Sequence, residues 1–372
     1  MYKTLRPLLF ALDPERSHDL SLRVLRLAQN FPPARAVLRR RYRAPPLPTT
    51  VMGIQFPNPI GLAAGLDKNG CCAAGFALLG FGWVEVGTVT PLPQPGNPKK
   101  RLFRIAEAGA IINRMGFNNA GAAALVANLR NQRPGIVGIN IGKNKDTPLA
   151  YAADDYVLAF RAVAGSADYV TVNISSPNTA QLRELQGAQE LDGLLGVLKH
   201  EQTQWQRQHG RYVPIALKVA PDLTAHAVTG IAQAVRTHRF DGLIATNTTV
   251  SRPGVAQWAA ANEAGGLSGR PLRPLATDIV RAFFRELRGE VPIIGVGGVD
   301  STSVWASRID AIGGSSDRTL TVAAFQTIDQ SRAKYPCTTR LRNATTGPQS
   351  ISGYRSFSSS GRRAAASPTT IS

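Results

Sequence analysis

Cysteine is scarce in this chain. Only three of 372 residues are Cys, and two of them, Cys71 and Cys72, are adjacent. That number and spacing exclude a disulfide framework and the ligand spacing of a structural metal site. They suit small buried side chains in a reducing compartment. No apolar stretch approaches the roughly 18–20 residues needed to cross a bilayer. The N-terminus lacks a short basic segment followed by an apolar one and a cleavage site, so no signal peptide is expected. No Gly-x-Gly-x-x-Gly follows the first apolar run, which argues against a Rossmann unit. Acidic residues are outnumbered, 24 against 43 Lys and Arg, for a net charge of +19. The excess gathers at the ends. Residues 1–43 carry ten basic and three acidic side chains, and residues 301–372 carry nine and three. The middle has too little excess charge for a basic stripe, so nucleic acid is not an expected partner.

Helical signals open the chain. Asp13-Pro14-Glu15 combines an N-cap, a proline at the first helical position and an acid in the first turn. Leu20, Val24 and Leu27 follow at helical spacing until Phe31-Pro32-Pro33 breaks the pattern. Residues 34–43 then carry Arg35, Arg39, Arg40, Arg41 and Arg43. Two readings stand for this region: a small helical cap on a larger domain, or an amphipathic segment lying on an anionic membrane surface.

From residue 51 the pattern changes. Short apolar runs at 60–63, 83–86, 136–141, 169–172, 215–219, 242–245 and 293–296 alternate with stretches of helical composition. Repeated βα units with a buried parallel sheet follow from this. Seven units in about 250 residues predict an α/β fold of the (β/α)8 TIM-barrel type, with a small N-terminal helical domain. After Asp300 no Glu appears, and Ser, Thr and Arg dominate. The eighth strand is expected to be missing or replaced; the nearest candidate, 322–325, is short. The expected segments are 1–45 helical, 46–302 barrel, and 303–372 an atypical low-complexity tail.

In such a barrel the functional groups sit at the C-terminal ends of the strands. Those ends read Ala64-Gly65-Leu66-Asp67-Lys68, Gly87-Thr88, Asn140-Ile141-Gly142-Lys143, Lys218-Val219, Thr246-Asn247-Thr248 and Gly295-Val296-Gly297-Gly298. The fullest is Asn173-Ile174-Ser175-Ser176-Pro177-Asn178, which offers amides and hydroxyls but no charge. Such a set suits gripping a small polar ring and taking a proton from it. Lys218 lies inside an apolar strand, so its ammonium needs an anionic partner, an electron-rich ring or a structural ion pair. The glycines at 295–298 suit either a phosphate or a tight turn.

These strings, with Asn113-Arg114-Met115-Gly116-Phe117-Asn118-Asn119 and Gly265-Gly266-Leu267-Ser268-Gly269, resemble the dihydroorotate dehydrogenases of class 2, the quinone-dependent enzymes. The resemblance covers residues 1–300. It implies FMN-dependent oxidation of dihydroorotate to orotate in pyrimidine biosynthesis, with ubiquinone or menaquinone as final acceptor. Ser176 falls where the family has its catalytic base; a cysteine there would indicate class 1. The resemblance places Lys68, Asn113, Arg114, Met115, Gly116, Phe117, Asn173, Asn178, Asn247 and Thr248 around the substrate. It places Ala64, Gly65, Leu66, Asp67, Lys68, Thr88, Asn140, Asn173, Lys218, Thr246, Gly269 and Gly298 around FMN. His18 and Arg104 fall beside the quinone tunnel. The loop 249–270 is expected to act as a lid. A monomer is expected, peripheral on the cytoplasmic side of a cell inner membrane. The family's eighth-strand pattern is not found after Gly298, so a shifted reading frame or a replaced C-terminus near 302–314 is expected. The alternative is an impaired or inactive FMN barrel that acts only in binding or as a scaffold.

Overall fold

Runs rich in Val, Ile and Leu that are apolar on both faces require a sheet covered on both sides. The structure, a computed structural model, describes residues 2–132 and 135–299, and residues 320–325 as backbone. The runs become the parallel strands β1 (Ile60–Leu62), β2 (Trp83–Val89), β3 (Ile136–Ile141), β4 (Tyr169–Asn173), β5 (Ile215–Val219), β6 (Gly242–Ala245) and β7 (Ile293–Val296). An eighth strand, β8 (Leu320–Phe325), pairs in parallel with β7 on one side and β1 on the other, and the barrel closes.

The eighth strand, expected to be missing or replaced, is thus present and takes in the nearest candidate that the sequence offered. Its core is the short run 322–325, whose two alanines give a faint apolar signal. Its place is fixed instead by the unpaired backbone edges of β1 and β7, which no one-dimensional pattern reports. The proposed frame shift at 302–314 and the rest of the tail lie outside the described residues.

Three helices precede the barrel: α1 (Tyr2–Ala11), α2 (Pro14–Asn30) and α3 (Pro32–Arg41). Asp13 caps α2 as its sequence predicts, accepting from the backbone N–H of Glu15 and Arg16. Buried polar contacts fasten both ends of α2 to the barrel. At its start Arg101 donates to the Glu15 carboxylate at 2.8 Å. At its end Gln29 bonds the Cys71 carbonyl and the Gly75 N–H. The outer helices α4 (Ala73–Leu78), α5 (Ala122–Arg130), α6 (Ala152–Val163), α7 (Ala188–His209), α8 (Ala225–Thr237) and α9 (Arg273–Leu287) cover the strands. The main core lies between strands and helices.

Inside the barrel, the period-two alternation of the strands sorts side chains by height. Phe56, Trp83, Tyr169, Ala216, Ile244 and Ile294 fill an apolar base. Two residues further up β2 and β4 come Glu85 and Thr171, and then Gly87 and Asn173. Gly138 on β3 has no side chain because the Tyr169 ring lies there; an added Cβ would meet it at 2.2 Å. A three-stranded antiparallel sheet (Leu102–Ile105, Ala110–Asn113, Gly266–Gly269) stands beside the barrel and carries Arg104 and Asn113.

Candidate active site

Polar groups buried at the top of a barrel must satisfy one another. Glu85, 4% exposed, accepts from Asn140 Nδ2 at 2.9 Å, Tyr169 OH at 2.9 Å and Thr171 Oγ1 at 3.1 Å. Burial and the Glu85 carboxylate hold the Tyr169 phenol well above its usual pKa, so it remains a donor. Asn140 Oδ1 in turn accepts from Thr88 Oγ1 at 2.6 Å and from Asn173 Nδ2 at 3.2 Å. Asn173 Oδ1 accepts from Ser175 Oγ at 3.0 Å and Asn247 Nδ2 at 3.3 Å. One chain of bonds therefore fixes the orientation of three amides contributed by β3, β4 and the β6 loop.

Above this network lies a cavity of about 840 Å³. Lys218, Thr88, Asn173, Ser176, Asn178, Asn247 and Thr248 line its inner end. Ala64, Gly65, Leu66, Lys68, Asn113, Met115, Gly116 and Phe117 also line it. The cavity continues outward between α1 and α2, where Leu8, Leu9, Leu12, Leu22 and Leu25 make an apolar arm. His18 and Arg104 line it as well. Arg104 donates to the carbonyls of Phe10 and Leu12 and so holds the C-terminal end of α1.

Asn178 Nδ2 donates to Asn113 Oδ1 at 3.1 Å, joining the β4 loop to the antiparallel sheet. The Ser176 hydroxyl oxygen accepts from the Asn178 backbone N–H at 3.2 Å. Burial lowers the Lys218 ammonium pKa, and Glu85 partly offsets the effect. Burial, then Arg101, lowers that of Lys68 to about 8. Lys68 keeps part of its surface free, facing the cavity, and donates to the Gly65 carbonyl at 2.9 Å.

His18 is lowered to about 4 by burial and then by Lys68. It therefore stays neutral in the folded chain where an unfolded histidine, near 6.5, has gained a proton. The unfolded state binds more protons between these values, so stability falls as pH drops from about 6.5 towards 4. Thermal midpoints measured across that range are expected to fall more steeply for the wild type than for His18→Asn. Parallel curves would remove His18 as the cause.

Several expected residues stand elsewhere. Arg114 points away from the cavity, bonding Glu263 at 2.6 Å and lying over the Phe103 ring. Asp67 accepts from the N–H groups of Cys71 and Cys72 and organises its own loop. Asn140 sits one bond behind Thr88. Thr246 is fully buried and donates to the Asn247 carbonyl. Gly269 packs on Gly109 of the antiparallel sheet, and Gly298 on Arg273 at the start of α9. Sequence reasoning also missed Glu85 and Ser175. A carboxylate within the 83–86 run was the available signal, equivalent to the lysine in β5.

The donor set suits a flavin. A buried ammonium, Lys218, faces the cavity, and the Thr88 and Asn173 side chains stand beside it. Gly65 (φ +111°) presents bare backbone there, and a Cβ on it would meet nothing within 4 Å. The turn after β8 is outside the described residues.

Fold and cavity together define a (β/α)8-barrel protein with its ligand site at the C-terminal ends of the strands. A sequence model of the family described as dihydroorotate dehydrogenase matches residues 46–315. The dihydroorotate dehydrogenase (quinone) of Janthinobacterium sp. (strain Marseille) is 52% identical over 316 residues, 84% of this chain and 90% of that protein. The protein of the same name from Aromatoleum aromaticum is 55% identical over 300 residues, 80% and 84% of the two chains. A crystal structure of DHODH from Eimeria tenella in complex with ferulenol superposes with a TM-score of 0.71 at 37% identity, covering 83% of this chain and 85% of that one. This chain belongs to the dihydroorotate dehydrogenase family.

Proposed function

We propose that this chain oxidises dihydroorotate to orotate, with FMN as bound cofactor and a quinone as final acceptor, in pyrimidine biosynthesis. The observation that carries the reading is one cavity holding Ser176, Asn178, Lys218 and Asn247 together, continuous with an apolar arm between α1 and α2. Asn113, Asn173, Asn178 and Asn247 supply the donors and acceptors that a pyrimidine dione needs. Lys68, with its lowered pKa, stays mostly protonated at neutral pH and attracts the substrate carboxylate. Ser176 Oγ takes the ring proton. The Asn178 N–H bonded to that oxygen stabilises negative charge developing on it, which makes a weak base serviceable.

Ala64, Gly65, Thr88, Asn173 and Lys218 would hold the isoalloxazine. FMN held there would supply the hydride-acceptor chemistry and the electron route to a quinone. The Lys218 ammonium would offset negative charge on a cofactor ring held beside it. The apolar arm suits the quinone, with His18 and Arg104 as polar groups on its wall. No described helix is long and apolar enough to cross a membrane. The exposed Leu20, Val24 and Leu27 of α2, Phe31 between the helices and Val37 of α3 accompany Arg39, Arg40 and Arg41 of α3. That pairing suits seating on an anionic surface, as expected for a monomer on the cytoplasmic face of an inner membrane.

Purified protein is expected to carry flavin whose absorbance near the visible maximum bleaches anaerobically on adding dihydroorotate. A quinone should restore the colour faster than fumarate or NAD⁺ does. Flavin that stays oxidised with dihydroorotate would defeat the reading and leave a binding protein only.

A further inference from the structure

The β4 and β6 loops carry Ser176 and Asn247, the loop between them follows Lys218 of β5, and one side chain outside the cavity bonds all three loops. Arg183 lies in the 3-10 turn Leu182–Gln186 that follows the β4 loop. Its Nε donates to the Ser175 carbonyl at 3.1 Å, next to Ser176. Its Nη2 donates to the Thr248 carbonyl at 2.9 Å, next to Asn247. Its Nη1 donates to Asp222 Oδ2 at 2.9 Å, in the loop after β5. Asp222 extends the grip along the β6 loop, accepting from Thr249 Oγ1 and from the Val250 N–H at 3.3 Å. Inside the cavity the same loops meet through Ser175 Oγ and Asn247 Nδ2 at 3.0 Å. The loops are thus tied on both sides. Both charged partners are largely enclosed, with side chains 23% and 17% exposed.

We infer that Arg183, held by Asp222, is a positioning residue that sets Ser176 against the substrate clamp formed by Asn247 and Thr248. It is absent from the cavity wall, so it acts through the loops and not by contact. The chemistry requires arginine: a planar fork reaches three acceptors in fixed directions, whereas a lysine ammonium is a single point donor. A loop displacement of about 1 Å at a base lowers rate by up to about 10²-fold without removing any reacting group.

The inference rests on the proposed reaction, and the experiment separates the two. Flavin-loaded wild type, Arg183→Lys and Asp222→Asn are compared in three measurements. Anaerobic flavin reduction by dihydroorotate is expected to slow by about 10–100-fold in Arg183→Lys. Orotate affinity, read from the flavin spectrum, should change by less than about threefold. Amide exchange in segments 173–178 and 247–251 should accelerate more than about tenfold in both variants. A purely structural role would instead lower flavin content and thermal midpoint together, with rate per bound flavin unchanged. That result, or exchange indistinguishable from wild type in both segments, overturns the assignment. A wild type that dihydroorotate fails to reduce defeats the proposed reaction, while the exchange measurement still decides whether Arg183 holds the loops.

Discussion

Ser176→Ala is expected to slow flavin reduction by dihydroorotate by about 10²–10⁴-fold, the usual contribution of a positioned general base. The bound flavin and the affinity for orotate should persist. The Ser176 hydroxyl accepts from the Asn178 N–H and, among the described residues, bonds none of the amides around Glu85, so its removal leaves that network intact. Anaerobic stopped-flow spectroscopy measures the step directly, free of the quinone half-reaction. Ser176→Cys adds a second readout. A thiol titrates near 8.5, so its rate should climb with pH through that region where the alanine variant stays flat. A Ser176→Ala rate within about threefold of wild type would remove this residue as the base.

Glu85→Leu is expected to destabilise the barrel by roughly 3–5 kcal/mol or more. The substitution strands three buried donors at once, Asn140 Nδ2, Tyr169 OH and Thr171 Oγ1. Each loses a partner that water cannot replace at that depth, at about 1–3 kcal/mol apiece. It also leaves the Lys218 ammonium without the one charge that offsets its burial. Urea unfolding with and without added flavin separates the consequences. The flavin-free protein reports the broken network. The loss of flavin affinity reports the loosened Lys218 and Asn140. Tyr169→Phe, which removes one donor and keeps the ring, should lose only about 1 kcal/mol. A Glu85→Leu loss no larger than that of Tyr169→Phe would show that the carboxylate is not the hub of the network.

Glu85 also shows where a linear reading stops. It sits in the middle of a run that reads as apolar, and nothing in its neighbours along the chain announces its partners. Those partners come from β3 and β4, 55 to 86 residues away. Arg114 shows the opposite error. It is adjacent to Asn113, which does line the cavity, but neighbouring side chains in extended backbone point in opposite directions. Its guanidinium therefore reaches Glu263 and Phe103 instead. Gly269 and Gly298, which the resemblance places around FMN, also allow close backbone packing, where a Cβ would meet Gly109 at 2.3 Å and Arg273 at 2.6 Å.

The amino-acid order alone determined the repeated βα architecture, the α2 cap at Asp13 and the polar strand ends, because each depends on residues a few positions apart. It also singled out Lys218, since a charge within an apolar strand is conspicuous without any structure. Only the folded chain decided that β8 closes the ring, that Glu85 anchors the amides and that Arg183 spans three loops. Those outcomes depend on backbone edges and side chains brought together across long sequence separations, and barrel closure is the event that makes them neighbours.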